Sequence, residues 1–207
     1  MGAIELVEQG GWLMAPIAAL SVGAGAIFLE RLWRLQRRST VPTGFIRTLL
    51  ALLADGAHTQ ALQLANQNDS LLARVMRQVL PLRGLSREAM KERMGEVGEG
   101  EVVHLERRLG ILGTIATIAP LMGLLGTITG MIQVFRQIST EANPAVSALA
   151  GGIWEALLTT AAGLVVAIPA YVGHRYLQGV VEDRSQELAD ACYAVLAQTH
   201  PHEEDSP

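Results

Sequence analysis

The sequence predicts an all-α integral membrane protein with three transmembrane helices and long cytoplasmic helical extensions, its N-terminus periplasmic and its C-terminus cytoplasmic. Three observations predict it: three long uncharged runs, an apolar content made of small aliphatic residues, and basic residues crowded onto one side of those runs. Half of the 207 residues are hydrophobic, yet aromatics make up 4% and mean hydropathy is +0.29. Leu, Ala, Ile, Val and Gly in that proportion suit helices packed closely in lipid.

The runs cover residues 9–29, 109–135 and 142–173, and the third holds a single charge, Glu155. A hydrocarbon core about 30 Å thick needs roughly 20 apolar residues at about 1.5 Å each, and each run is long enough. Three buried helices of a soluble protein are the other reading, but such helices keep a polar face, which these runs lack. Glu5 and Glu8 precede the first run, with no Lys or Arg, so it does not read as a signal peptide. It reads as an uncleaved anchor, bracketed by Trp12 and Trp33.

Of the 16 Lys and Arg residues, 13 lie between Arg31 and Arg108, and Arg175 and Arg184 follow the third run. The cluster Arg31, Arg34, Arg37 and Arg38 abuts the first run. The positive-inside rule then places 31–108 and the tail in the cytoplasm. The expected domains are a periplasmic N-terminus with the first span (1–30), a cytoplasmic helical region (31–108), a proton-channel domain of the second and third spans with a short periplasmic loop (109–178), and a cytoplasmic tail (179–207).

The middle region reads as helices over 45–54, 58–67, 70–80 and 87–108. Gly56 is a C-cap, Asn68-Asp69-Ser70 a break, Pro81 and Gly84 a turn, and Ser86 an N-cap. Gly95, Gly98 and Gly100 weaken the last helix and leave room for a bend. The third span continues as an amphipathic helix to about Thr199, and residues 200–207 read as a disordered tail.

The chemistry is sparse. One cysteine, Cys192, excludes an intrachain disulfide. A net charge of −4 without a basic stripe argues against nucleic acid. The five histidines have no metal-ligand spacing, and Gly23-x-Gly25 lacks the third glycine of a dinucleotide loop. No metal, cofactor or enzyme activity is expected.

Glu155 is the sharpest feature. A charge within a membrane helix costs about 2.5–3.5 kcal/mol on insertion scales and usually marks an ion or proton path. If the span instead begins at Ala156, Glu155 sits among the headgroups. Hydroxyls recur at Thr114, Thr117, Thr127 and Thr129 in the second span and at Thr159 and Thr160 in the third. Each can serve a path or simply bond to its own helix. Thr159 shares the face of Glu155, and Thr160 lies about 140° from it, so the two threonines should face different surroundings. Gly123, Gly126 and Gly130 in the second span and Gly151, Gly152 and Gly163 in the third are candidate close-packing positions, with Gly126-x-x-x-Gly130 the recognisable motif. Pro120 and Pro169 are candidate kinks.

The run from Thr117 to Met131 (TIAPLMGLLGTITGM) resembles the second-span signature of the MotA/TolQ/ExbB family. Gly152–Leu164 (GIWEALLTTAAGL), followed by Ala167-Ile168-Pro169-Ala170, resembles its third-span signature, and Leu29-Glu30-Arg31 fits the end of its first. The resemblance is strong over 105–178, fair over 10–38 and faint between. Trp154 departs from the small or polar residue usual before the family's Glu, which leaves the packing there open. Three spans and an N-out start favour the ExbB/TolQ branch over the four-span flagellar stator.

The resemblance implies that Glu155, Thr127 and Thr160 form the proton pathway, preferring Thr160 to Thr159. It implies a homopentamer in the bacterial inner membrane whose pore holds the single-span helices of an ExbD- or TolR-like dimer bearing an essential Asp. Proton flow would then drive work on the outer membrane through a TonB- or TolA-like protein. The short chain favours the ExbB role in transport; a TolQ role in envelope integrity and division is the nearest alternative. A membrane scaffold that conducts no protons, with Glu155 passive, is the alternative of another class.

Overall fold

A computed structural model of the chain describes residues 11–37, 40–82, 84–141 and 145–200. Glu5 and Glu8, Arg38, residues 142–144 of the third run and the tail after His200 lie outside the described residues. Every regular element among the described residues is helical: α1 (Met14–Arg37), α2 (Thr43–Ala54), α3 (His58–Asn66), α4 (Leu71–Val79), a 3₁₀ turn (Leu80–Leu82), α5 (Arg87–Glu106), α6 (Leu109–Thr140) and α7 (Val146–Thr199). The chain forms two compact units, Met1–Arg31 with Arg108–Leu177, and Leu32–Arg107 with Gln178–Pro207.

Among the described residues, three helices are long and apolar enough to cross a bilayer, α1, α6 and α7. Only 17%, 28% and 33% of their most apolar windows are buried within the chain. Leu121, Ile128, Ile132, Phe135, Val165 and Ile168 point outward. Large apolar side chains outside and small ones inside is the arrangement that lipid, rather than water, makes favourable. Trp12 and Trp33 are both exposed. Pro120 and Pro169 sit inside α6 and α7, which run unbroken through them. An α1 residue reaches α7 at Phe28, whose ring lies against Gly173.

The second unit is built as a water-soluble domain is. Its core gathers Phe45, Leu49 and Leu53 from α2, Ala61 and Ala65 from α3, and Met90, Met94 and Val97 from α5 around α4. Six of the nine residues of α4 are buried. Leu188, Ala191, Val195 and Leu196 of α7 close that core, so the end of this long helix carries an apolar stripe at helical spacing.

Local chemistry sets the ends of these helices. Gly56 takes φ +70° beyond the end of α2, and the N–H groups of Gly56 and Ala57 donate to Leu53 O and Leu52 O at 3.1 and 2.8 Å. That is a Schellman closure, which needs the left-handed backbone glycine tolerates. Asn68 Oδ1 accepts from the Ser70 N–H at 2.8 Å, and Ser70 Oγ caps α4 by accepting from the Ala73 N–H at 3.3 Å. Ser86 caps α5 through the Ala89 N–H at 3.3 Å. α5 continues unbroken past Gly95, Gly98 and Gly100, and an Arg74–Glu101 ion pair at 3.1 Å ties it to α4.

Cys192 packs against this core, and burial pushes its thiol up from 9.0 to about 11. The folded thiol therefore stays protonated where the unfolded one ionises, so it favours unfolding as pH rises above 9 and protects nothing below it. Alkylation of Cys192 at pH 8 should run about 100-fold slower in the folded protein than in denaturant, the ratio two pKa units imply; equal rates would mean that this end of α7 does not pack on the core.

Candidate functional site

α6 and α7 run antiparallel and meet along a seam of small residues. A methyl added at Gly130 would lie 2.8 Å from Ala156 Cβ, and one at Gly123 would lie 3.0 Å from Thr160 Cα. A methyl at Gly163 would lie 2.6 Å from Ala119 O. One at Gly126 would strike the Thr159 side chain. A Cβ has no room at Gly126, Gly130 or Gly163 and is tighter than an ordinary contact at Gly123, whereas Gly151 faces open space. Gly152 joins the seam opposite Val134.

The hydroxyls divide by partner. Thr160 Oγ1 donates across the seam to Gly123 O at 2.8 Å. Thr127 Oγ1 donates within α6 to Leu124 O at 2.7 Å, so the two threonines end on carbonyls of adjacent residues. Thr159 is buried and bonds back to Glu155 O at 2.8 Å, while its methyl fills the space beside Gly126. Thr114, Thr117 and Thr129 bond to carbonyls of α6 itself. The helices are so close that Thr159 and Thr160, about 100° apart, both touch α6.

Glu155 lies between Gly152, opposite Val134, and Ala156, opposite Gly130. That sets it level with the last full turn of the apolar run of α6, about one turn short of Arg136. Its carboxyl presses on Gly11, which takes φ +70° just before α1, so α6, α7 and the segment leading into α1 meet around it. Beside it is a cavity of about 350 Å³ lined by Gln133, Arg136, Gln137, Thr140, Gly152 and Glu155 among others. A half-buried carboxylate facing two amides and a guanidinium, with room for water, can exchange protons without being stranded in hydrocarbon. Gln133 and Gln137, one turn apart at the end of an apolar run, are the signal that would have pointed to this cavity from the sequence. Gly11 has no such signal, because its role comes from backbone conformation. No cluster of metal-ligating side chains occurs among the described residues.

Residues 63–190 match the sequence profile of the MotA/TolQ/ExbB proton channel family. The chain belongs to that family.

Among curated proteins, a putative biopolymer transport protein ExbB homolog of Methanothermobacter thermautotrophicus is 30% identical over 89% of this chain and 66% of its own length. Biopolymer transport protein exbB1 of Vibrio cholerae is 30% identical over 84% of this chain and 78% of its own. The Tol-Pal system protein TolQ of Haemophilus influenzae is 39% identical over 37% of this chain and 34% of its own. The family match spans the whole α6–α7 seam, Glu155 included, so the chain is a membrane protein of a proton-channel and transport family.

Gly163→Ala should loosen the seam, because its new methyl meets a backbone oxygen that cannot turn aside. A loss of about 1–3 kcal/mol is expected, read as a lower melting temperature in detergent. Gly151→Ala, with open space around it, should hold or raise that temperature; equal losses in both variants would contradict the seam.

Proposed function

We propose that this chain is the proton-conducting subunit of an inner-membrane motor that uses the proton gradient to energise outer-membrane transport, in the ExbB manner. One observation carries the reading: Glu155, the single charge in the third apolar run, lies level with the apolar turns of α6, in a hydrated-size cavity with polar walls. Glu155 takes up and releases the proton. Thr160 holds α7 against α6 through Gly123 O, and Thr127 adds a second hydroxyl in the same turn. Residues 31–108 and the end of α7 lie in the cytoplasm, following their basic residues.

The work requires a second carboxylate and a lever. These belong to an ExbD-like single-span partner dimer within a pentamer of this chain, and to a TonB-like protein that reaches the outer membrane. Each proton crossing 100 mV supplies about 2.3 kcal/mol, so a working stroke needs several. ExbB-named relatives align over 53–89% of this chain and a TolQ-named one over 37%, which supports the transport role over envelope maintenance.

Glu155→Gln keeps the shape and hydrogen bonding of the side chain and removes its proton. In a strain lacking the native copy, it should abolish proton-driven activity while membrane level and oligomeric state stay normal. Full activity in Glu155→Gln would leave the chain as a scaffold around another protein's path.

A further inference from the structure

The seam face of α7 is filled with small residues until its last position. Ala156, Gly163 and His174 fall within about 20° of one another at roughly 100° per residue, and Ala167 and Ala170 lie close to the same line. All of these but His174 are buried alanines or glycine. At His174 an imidazole stands where the pattern has a methyl or a hydrogen, and α6 makes room with Gly113. A methyl at Gly113 would lie 2.9 Å from His174 Nε2 and 3.0 Å from Cε1. The other ring nitrogen, Nδ1, is buried and has no hydrogen-bond partner among the described residues. A buried, unpaired ring nitrogen costs free energy that an aliphatic side chain would not, so packing alone is a poor account of this residue.

Its position along the helix supplies another account. Glu155 and His174 are the two ionisable side chains of α7 between Val146 and His174 apart from the phenol of Tyr171. Nineteen residues separate them, about 28 Å of helix, against a hydrocarbon core of about 30 Å. Each lies against a glycine: Glu155 on Gly11, in the segment just before α1, and His174 on Gly113 of α6. Polar groups mark the interval: Thr160 Oγ1 on Gly123 O and Thr117 Oγ1 on Gly113 O at 3.0 Å. Proline has no N–H, so Pro120 leaves the carbonyl of Ala116, a buried residue of α6, without its helical donor.

Resting on the proton-channel reading above, we infer that His174 is the second proton carrier of this chain, receiving at the far end of the α6–α7 seam the proton that Glu155 admits. The neutral ring binds the incoming proton at one nitrogen, becomes imidazolium, and gives up the proton of the other nitrogen to water; rotation or tautomer exchange resets it, with no net change in the ring.

The test places His174→Ala, His174→Gln and Glu155→Gln in the strain used for activity, with membrane level and oligomeric state measured for each. His174→Ala and His174→Gln should assemble normally and lose proton-driven activity on the order of 100-fold. Added imidazole should restore part of the activity of His174→Ala, where the lost ring leaves space beside Gly113, and none of that of Glu155→Gln. Full activity in His174→Gln with Glu155→Gln inactive would overturn the inference and leave the Glu155 reading intact. Full activity in both would remove both. An assembled, inactive His174→Ala that imidazole does not help would also overturn it, making the ring a packing element.

Discussion

Helices α6 and α7 approach so closely that Gly126, Gly130 and Gly163 have no room for a Cβ and Gly123 has barely any. In lipid the apolar effect does not drive helices together, so contact area and interhelical hydrogen bonds must do it. Small residues deliver the area, and Thr160 to Gly123 O delivers the bond. The rest of the site depends on that approach. Because the helices touch, Glu155 is held level with apolar turns of α6 and opens onto Gln133 and Gln137. A larger residue in the seam would splay the pair and dissolve the cavity. The exposed outer faces follow from the same constraint, since the large aliphatic side chains excluded from the seam must face lipid or other protein.

The second unit obeys different physics. Its core around α4 is dense with Leu, Met and Val, as in a domain that folds in water, and its helices end in Ser caps and a glycine closure. One continuous helix, α7, contributes small residues to the first unit and a stripe of larger ones to the second. The change of composition along α7, from Ala and Gly to Leu and Val at the buried positions, records the change of surroundings.

Much of this was legible in the sequence. The three long apolar helices could be counted from uncharged runs, and the breaks at Gly56, Asn68–Ser70 and Ser86 follow from turn chemistry. The four seam glycines could be named because close helix packing has few solutions. The core around α4 was not legible: α4 is nine residues long, and nothing in a run so short tells a central helix from a peripheral one. Gly11 and Gly113 escaped notice because a glycine's partner lies on another helix, and one-dimensional spacing cannot supply it. Thr159 and Thr160 were expected in different surroundings by helical angle, yet the helices lie near enough for both to reach α6.

The central claim is that Glu155 is a carboxyl that can be protonated within the apolar layer. Dicyclohexylcarbodiimide, which partitions into lipid and attacks protonated carboxyls, tests it directly in native membranes, with the modified peptide identified by mass spectrometry. Labelling at Glu155 that slows as pH rises, while Glu92 on the exposed face of α5 stays unmodified, is the predicted result. An unlabelled Glu155 beside labelled carboxyls elsewhere in the chain would contradict the account.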